Sequence, residues 1–309
     1  MNCLVTGGAW FIGSHVVDAL VAKGCAARVF DDLSSGKREN VVAGISLTVG
    51  DVRDKAAVVT AAADHIDCVF HLAAQIDVRI AVEDPWFDAQ VNVGGTINLL
   101  NACVDRHVQR FIMSSTGGAL YGEPSTLPAS EQSAIQPLSP YGVSKYCAEQ
   151  YIEYFHRMYG LETVILRYAN VYGPRQDPNG EAGVVGIFAR RILLGEPCAV
   201  YGDGEQTRDF VFVDDVAHAN ILAMQGPLGT FNIGTGVETS LNQLLAAFGS
   251  VVGHPVAREY MPARTGEVQR IALNADKALQ ELGWKPSVSL EDGLRRTLDW
   301  VGDMLPGGQ

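Results

Sequence analysis

The chain has 309 residues, of which 47% are hydrophobic, and its formal net charge at pH 7 is −12. This length and composition exclude a disordered or fibrous protein and predict one compact enzyme with two lobes. The acidic balance, without a run of lysine or arginine, argues against nucleic acid as a partner.

The cysteines and the N-terminal residues indicate the compartment. Six cysteines are scattered along the chain without a Cys-x-x-Cys pair, a pattern typical of small buried residues in a reducing environment. The segment NCLVTG enters a strand without a charged leader, and no stretch approaches the roughly 18 apolar residues of a membrane span. We expect a cytoplasmic protein with no membrane partner.

Strand-like and helical segments alternate along the first 172 residues. The strand-like segments are CLVTG, ARVFDD, ISLTVGD, DCVFHLAA, RFIMSS and TVILRYANV. This alternation predicts βαβ units and an α/β fold with a doubly wound parallel, Rossmann-type sheet. Beyond about residue 172, loops rich in glycine and proline predict a smaller C-terminal lobe that closes over the first.

A glycine-rich turn, TGGAWFIGSH, follows the first strand and opens a helix. Backbone amides at such a helix N-terminus can receive a pyrophosphate. Asp31 and Asp32 end the second strand, where a carboxylate accepts hydrogen bonds from an adenosine ribose and disfavours a 2′-phosphate, so NAD is favoured over NADP. Turn capping is the alternative role for these aspartates, and for Asp51 after the third strand.

The glycine pattern of this turn is interrupted at its middle position. Gly7 and Gly13 are in place, but Trp10 stands where the usual pattern has the glycine that lets the backbone approach a pyrophosphate. The indole either swings away from the phosphates, obstructs the cofactor, or marks an altered version of the natural sequence. The sequence alone does not distinguish these alternatives.

Tyr141 and Lys145 form a Tyr-x-x-x-Lys pair inside SPYGVSKYCAEQY. Residues four apart lie on one face of a helix, about 6 Å apart along its axis, so the phenol and the ammonium can share a pocket. A nearby cation lowers the pKa of a phenol from about 10, which makes Tyr141 a candidate general base. A short motif of this kind also arises by chance on helices with a solvated lysine.

Eight ordered motifs closely resemble those of the extended short-chain dehydrogenases/reductases and, among these, the UDP-glucose 4-epimerases. They are TGGAWFIGSH, DDLSSG, HLAAQ, SSTGGALYG, SPYGVSK, RYANVYGPR, YGDGEQTRDFVFVDD and PARTGE. The resemblance extends from residue 2 to about residue 300. It implies inversion at C4 of a UDP-hexose through a transient 4-keto sugar with tightly bound NAD, as in galactose metabolism. UDP-glucose and UDP-galactose are the default substrates, with UDP-N-acetylglucosamine and UDP-glucuronate as alternatives.

The resemblance also assigns roles to residues. It implies cofactor contacts for Gly7, Phe11, Ile12, Gly13, Asp31, Asp32, Asp51, Val52, Leu72, Ala73, Ala74 and Asn92. Tyr141 would serve as base and acid, and Lys145 would bind the nicotinamide ribose and tune Tyr141. A hydroxyl in SSTGG would hold the sugar oxygen, and Thr116 is assigned this role with Ser115 as the alternative.

Contacts to the UDP-sugar are implied for Asn170, Arg208, Arg264, Glu267 and Arg79. Arginine suits a diphosphate because its guanidinium binds phosphate oxygens in a bidentate fork. The alternative role for these arginines is a surface ion pair in an acidic protein.

We expect residues 1–172 and 208–234 to form the NAD-binding domain, and residues 173–207 and 235–309 to form the UDP-sugar lobe. Two segments, DPWFDAQVNVGGTINLLNACVDR and YGVSKYCAEQYIEYFHRMYG, have apolar residues at helical spacing. They would pair across a two-fold axis as in related homodimers, and purely internal packing is the alternative.

Rival functions differ at the residues after Thr116. The related 4,6-dehydratases place an Asp-Glu pair there and decarboxylating relatives generally place a glutamate, whereas this chain has Gly117, Gly118 and Ala119. The remaining alternatives are another NAD-dependent nucleotide-sugar oxidoreductase, which would consume free NAD, and a non-catalytic NAD-sensing protein. Such sensors commonly lose the Tyr/Lys pair that this chain keeps.

Overall fold

The computed structural model describes residues 1–63, 65–178, 183–263 and 268–305. The strands are β1 Asn2–Thr6, β2 Ala26–Asp31, β3 Ser46–Val49, β4 Cys68–His71, β5 Arg110–Thr116, β6 Glu162–Tyr168, β7 Asn170–Tyr172, β8 Cys198–Tyr201, β9 Thr207–Arg208, β10 Phe210–Phe212, β11 Gly229–Ile233, β12 Thr239–Ser240 and β13 Arg258–Met261. The α-helices are α1 Phe11–Ala22, α2 Lys55–Ala61, α3 Val78–Glu83, α4 Pro85–Ala89, α5 Gly95–Asp105, α6 Gly117–Leu120, α7 Pro140–Tyr159, α8 Val184–Leu193, α9 Val213–Ala223, α10 Leu241–Val252 and α11 Leu290–Met304.

A parallel sheet forms the centre of the first lobe. Within the described residues it contains seven strands in the order β11-β6-β5-β4-β1-β2-β3, and each neighbouring pair is parallel. The order reverses between β1 and β4, which is the topological switch point where doubly wound sheets bind ligands beyond the carboxyl ends of their strands. The predicted Rossmann-type α/β fold is therefore confirmed.

Alternating side chains along the strands cover both faces of this sheet. Leu4 and Val5 in β1, and Val69 and Phe70 in β4, enter different core clusters on the two faces. Helices α1 and α9 pack on the Val5 face, and α5 and α7 pack on the Leu4 face. Because helices cover both faces, the strands read as nearly continuous apolar runs in the sequence.

Helix α7 carries the Tyr141 and Lys145 pair and has well-formed ends. The Ser139 hydroxyl accepts a hydrogen bond from the Gly142 amide at 3.2 Å, and Pro140 occupies the first helical position. Gly160 ends the helix with φ of 71°, a left-handed conformation that glycine adopts without strain. The pair thus lies in the first turns of a long, firmly bounded helix.

The segment between residues 84 and 106 is not one continuous helix. It divides into α4, a π-helical turn at Gln90–Gly94, and α5. The wider turn contains Asn92, which is buried and hydrogen-bonded to three other segments. Such π-turns often occur at functional sites, because they redirect one side chain without ending the helix.

In the C-terminal lobe, α8, α10 and α11 pack with β8 around a third apolar cluster, which also includes Phe11 of α1 and Tyr172 of β7. The short strand pairs β8–β13 and β9–β12 lie in the same part of the chain. Asp209 connects its segments, because the buried carboxylate accepts hydrogen bonds from the amides of Thr235, Gly236 and Leu273 at 2.9–3.1 Å. The exact residues at which the chain passes between lobes stay a prediction.

No α-helix in the described ranges has the length and apolar character needed to cross a bilayer.

Candidate functional site

A cleft of about 290 Å³ opens beyond the carboxyl ends of β1, β2 and β4, at the switch point of the sheet. Many of the predicted cofactor residues line it together: Gly7, Asp31, Asp32, Asp51, Val52, Leu72, Ala73 and Ala74. Residues far apart in the sequence therefore meet in one elongated site, as the carboxyl ends of parallel strands require.

The N-terminus of α1 points backbone amides at this site. Trp10 is the N-cap residue, and among the described residues no side chain caps this end. Gly7 has φ of 69°, and a Cβ there would lie 2.7 Å from the Ala73 nitrogen. A Cβ on Gly13 would overlap the Gly7 carbonyl. The uncapped amides and the close glycine backbone fit a pyrophosphate group, so the residues present fit a dinucleotide.

Phe11 and Ile12 take part in this turn only through their backbone. The Phe11 side chain is 2% exposed and belongs to the apolar cluster of the C-terminal lobe, and Ile12 packs against the same cluster. The predicted role of these two residues at the pyrophosphate therefore reduces to their amide groups in the first turn of α1.

Trp10 has an ordinary extended backbone, with φ of −106° and ψ of −178°. Its indole packs against the C-terminal lobe cluster and meets the Phe11 ring edge to face, with centroids 6.1 Å apart. It also forms part of the cleft wall. The packing against Phe11 favours the alternative in which the indole swings away from the phosphates.

The adjacent aspartates Asp31 and Asp32 have different surroundings. Asp31 is 5% exposed and accepts hydrogen bonds from the Ala9 and Leu33 amides, both at 2.9 Å. Burial raises the pKa of Asp31, while these amides oppose the shift. Asp32 instead accepts from the amide and hydroxyl of Ser34, which is the turn-forming role weighed in the sequence. Asp31 is the better-placed carboxylate for a ribose.

Asp51 is ion-paired at the far end of the cleft. The Arg53 guanidinium donates to it from Nε at 2.8 Å, and this contact lowers the pKa of Asp51. Arg53 also lies over the Phe87 ring, 5.0 Å from its centroid. Asp51 is thus held as a carboxylate beside Val52, in the region assigned to adenine.

Both polar atoms of the Asn92 side-chain amide form hydrogen bonds with other protein groups. Its Nδ2 donates to the Gln75 carbonyl at 2.9 Å, to Asp88 Oδ1 at 3.0 Å and to Ser144 Oγ at 3.1 Å, while its Oδ1 accepts from the Gln75 amide at 2.9 Å. Asn92 therefore joins the cleft wall to α7, and its direct contact with the cofactor stays a prediction. Asp88 was missed, although its spacing of four from Asn92 is a helical signal.

Tyr141 is half-buried, and its phenol lies beside the Thr116 hydroxyl. Burial raises the pKa of Tyr141, the Asp88 charge raises it further, and the Thr116 contact opposes both. The expected lowering by Lys145 is not found. Burial outweighs it, because a phenolate loses more hydration than a phenol.

Lys145 is 4% exposed, and its Nζ donates to the Ser114 carbonyl at 2.6 Å. Burial lowers the pKa of Lys145 to about 8, while the charges of Glu149 and Asp88 oppose this shift. The side chain therefore remains mostly an ammonium at neutral pH and loses its charge as the pH rises through about 8.

The two candidate hydroxyls of β5 point to different partners. Thr116 reaches Tyr141, whereas Ser115 is 3% exposed and donates to Glu149 Oε1 at 2.5 Å. Neighbouring strand residues point to opposite faces, which explains the divergence. The geometry therefore favours Thr116 over Ser115 as the hydroxyl that meets a substrate.

Asn170 lies close to this hydroxyl. A Cβ placed on Gly118 would be 3.4 Å from Asn170 Oδ1 and 3.9 Å from Thr116 Oγ1, so both side chains border the same small space. Arg208 lies on β9 and donates from Nη1 to the Thr207 carbonyl at 2.8 Å.

Arg79, another predicted substrate residue, is held in an ion pair beside α3. The Arg79 side chain is 70% exposed, and its Nη2 meets Asp77 Oδ2 at 2.5 Å at the start of α3. Arg264 and Glu267 lie outside the described residues.

The chain is similar to known proteins over most of its length. The NAD dependent epimerase/dehydratase family matches residues 3–234. A putative UDP-glucose 4-epimerase of Methanocaldococcus jannaschii is 45% identical, over 96% of this chain and 97% of that protein.

Two solved structures are similar over almost the whole chain. The UDP-glucose 4-epimerase of Thermotoga maritima with UDP-glucose has 48% identity and a TM-score of 0.97, covering 99% of this chain and 100% of the other. The UDP-glucose 4-epimerase of Thermus thermophilus in complex with NAD has 44% identity and a TM-score of 0.93, with coverage of 99% and 100%.

Proposed function

The chain belongs to the NAD-dependent epimerase/dehydratase family, and we propose that its activity is the interconversion of UDP-hexoses by inversion at C4. One observation carries the proposal: the Tyr141 phenol lies beside the Thr116 hydroxyl, on the same sheet edge as a cleft that fits a dinucleotide. NAD is the cofactor, and when bound it supplies reversible acceptance of a hydride from the sugar C4, so that the C4 alcohol becomes a ketone.

Tyr141 moves the proton in this reaction. Its phenol oxygen takes the proton of the sugar 4-hydroxyl as C4 is oxidised and returns it to the same oxygen as C4 is reduced from the other face. Thr116 holds the 4-oxygen through its hydroxyl. Lys145 keeps a positive charge in the pocket near neutral pH and is proposed to bind the nicotinamide ribose.

Inversion requires the sugar to turn over while its nucleotide stays anchored. Arg208 lies on β9 and would hold the diphosphate away from the reacting carbon. Asn170 borders Gly118 and Thr116, where it can contact the end of the diphosphate nearest the sugar. Arg264 and Glu267 complete the proposed nucleotide contacts, and Arg79 stays a candidate for the sugar only after movement away from Asp77.

UDP-glucose and UDP-galactose are the proposed substrates. The UDP-glucose 4-epimerases described above are 44–48% identical to this chain over nearly its whole length. The residues after Thr116 are Gly117, Gly118 and Ala119, so this helix brings no carboxylate for water elimination next to the reacting carbon. The proposed reaction therefore ends with C4 inversion and fits a role in galactose metabolism.

The substitution Tyr141→Phe should reduce kcat by at least about 100-fold, because it removes the group that moves the 4-hydroxyl proton. Binding of UDP, measured by calorimetry, should stay unchanged, since the phenol contacts the sugar alone. Turnover is followed by NMR of the C4 proton with UDP-glucose, UDP-N-acetylglucosamine and UDP-glucuronate, without added NAD.

Tyr151→Phe, at an exposed position of the same helix, is the matched control and should retain wild-type turnover. Full activity of the Tyr141 variant would exclude the proposed proton transfer. A wild-type protein that inverts none of the three sugars would exclude the function itself.

Removal of the Thr116 hydroxyl and removal of the Ser115 hydroxyl should lower kcat to different extents. Thr116→Ala should lower kcat by about 10- to 100-fold, because the sugar oxygen loses the hydroxyl that orients it. Ser115→Ala should cost less than Thr116→Ala, because its hydroxyl faces Glu149 instead of the substrate. Steady-state kinetics on both variants decides the point, and a larger loss for Ser115→Ala would reverse the assignment.

We also propose a cytoplasmic homodimer. All six cysteines are free thiols, which supports a reducing compartment. Helices α4 and α7 pack together and leave apolar side chains exposed on neighbouring surfaces, with Trp86 71%, Val143 54% and Met158 63% exposed. A second copy related by a two-fold axis would cover this surface with the same surface of its own.

Sedimentation equilibrium should therefore give twice the chain mass. Trp86→Asp should shift the protein toward monomer, because it places a charge within the proposed interface. Met304→Asp, at an exposed position on α11, should leave the mass unchanged. A wild-type monomer at assay concentration would contradict the dimer.

A further inference from the structure

A buried ion pair lies directly behind the proposed catalytic residues. Arg167 donates from Nε to Glu149 Oε1 at 3.0 Å and from Nη2 to Glu149 Oε2 at 2.6 Å, a bidentate arrangement. The Glu149 and Arg167 side chains are 1% and 7% exposed. A carboxylate buried this deeply requires its partners, because removal of either one leaves an unpaired charge in the interior.

Glu149 joins three elements at the carboxyl edge of the sheet. It lies on α7, one turn after Lys145, and accepts from Ser115 on β5 as well as from Arg167 on β6. Ser115 and Arg167 are directly paired across the two strands. The next pair along the strands begins with Thr116, so the carboxylate fixes the backbone immediately before the hydroxyl that meets Tyr141.

The same turn of α7 holds β5 at a second point. Lys145 donates to the carbonyl of Ser114, while Glu149 accepts from the hydroxyl of Ser115. Consecutive residues of the strand are thereby held by side chains four apart on the helix. This double attachment fixes the distance between the strand that presents Thr116 and the helix that presents Tyr141.

Arg167 continues the network away from the site. Its Nη1 donates to Tyr121 Oη at 2.9 Å, and Tyr121 Oη donates to Asn232 Oδ1 at 2.8 Å. The guanidinium also lies over the Tyr121 ring, 5.4 Å from its centroid. Because Asn232 is on β11, the network links the catalytic helix to the last strand of the sheet.

The charges around Lys145 come from several elements. Glu149 on α7 and Asp88 on α4 stabilise the ammonium, while Tyr141 lies one turn before it on α7. His71 on β4 is buried between the hydroxyls of Thr6 and Thr96, and its pKa of about 3 keeps it neutral. Glu149 is the larger of the two stabilising influences on Lys145.

We propose that Glu149 is a positioning residue for the epimerase reaction: its carboxylate fixes β5 against α7 beside Lys145 and Thr116, and Arg167 holds that carboxylate in place. The proposal rests on the proposed function for its kinetic part only. Loss of the anion should make the Lys145 ammonium easier to deprotonate, so the pocket loses its positive charge at a lower pH.

The test compares Glu149→Gln with Glu162→Gln. Glu162 is also paired with an arginine across β5 and β6, but at the opposite, amino end of these strands, where Arg110 donates to it at 2.7 and 2.9 Å. The Lys145 ammonium is titrated by NMR of protein labelled with 13C at the lysine ε-carbon, and the lysine signal is assigned with Lys145→Arg. The pH dependence of kcat is measured on the same variants.

In Glu149→Gln, the Lys145 titration midpoint and the basic limb of kcat should both move to lower pH, and kcat near neutral pH should fall at least about tenfold. Glu149→Asp keeps the charge, so its midpoint should stay close to that of the wild type although its shorter side chain lowers kcat. Glu162→Gln should match the wild type in both measurements.

An unchanged Lys145 midpoint in Glu149→Gln would overturn the proposal, whatever happens to stability. If that variant does not fold, Glu149→Gln combined with Arg167→Gln removes both charges without leaving a buried cation unpaired. A smaller downward shift is expected in the double variant, because loss of the Arg167 cation offsets part of the loss of the Glu149 anion, and an unchanged midpoint there would also overturn the proposal. Because the titration needs no turnover, it tests Glu149 even if the wild type inverts no sugar.

Discussion

Burial of Lys145 with two carboxylates, Glu149 and Asp88, beside Tyr141 is the constraint on which the rest of this structure depends. Lys145 and Glu149 are 4% and 1% exposed, and helix α7 presses both against the carboxyl end of β5. Burial works against each charged form, since it raises the pKa of Tyr141 and lowers that of Lys145 to about 8. The pocket therefore keeps its charges only because each one has a fixed partner.

This constraint suits an inversion that must proceed without side reactions. A ketone held away from water can be reduced from either face, and a buried acid–base group returns its proton without exchange with bulk solvent. The cleft with Asp31 and Asp51 lies next to the pocket, and Asn92 connects the two by bonding to both Gln75 and Ser144. Cofactor position and helix position are thus set by one hydrogen-bond network.

The sequence predicts the sheet well, because covered strands and glycine-rich turns leave strong local patterns. It also brings Tyr141 and Thr116 to one site through ordered motifs. It misses what depends on packing between distant segments. Asn92 forms hydrogen bonds with Asp88 and Ser144, and Glu149 is recognisable only by its helical spacing from Lys145. The local sequence also does not predict that the pKa of Tyr141 is raised, because burial is a property of the assembled fold.

Retention of the C4 hydrogen tests most directly whether this closed pocket performs the inversion. UDP-glucose carrying deuterium at C4 is converted in ordinary water, and the product is examined by NMR and mass spectrometry. The account predicts UDP-galactose that keeps the deuterium at C4, with no dependence on added NAD. Loss of the label to solvent, or its accumulation in released NADH, would contradict it.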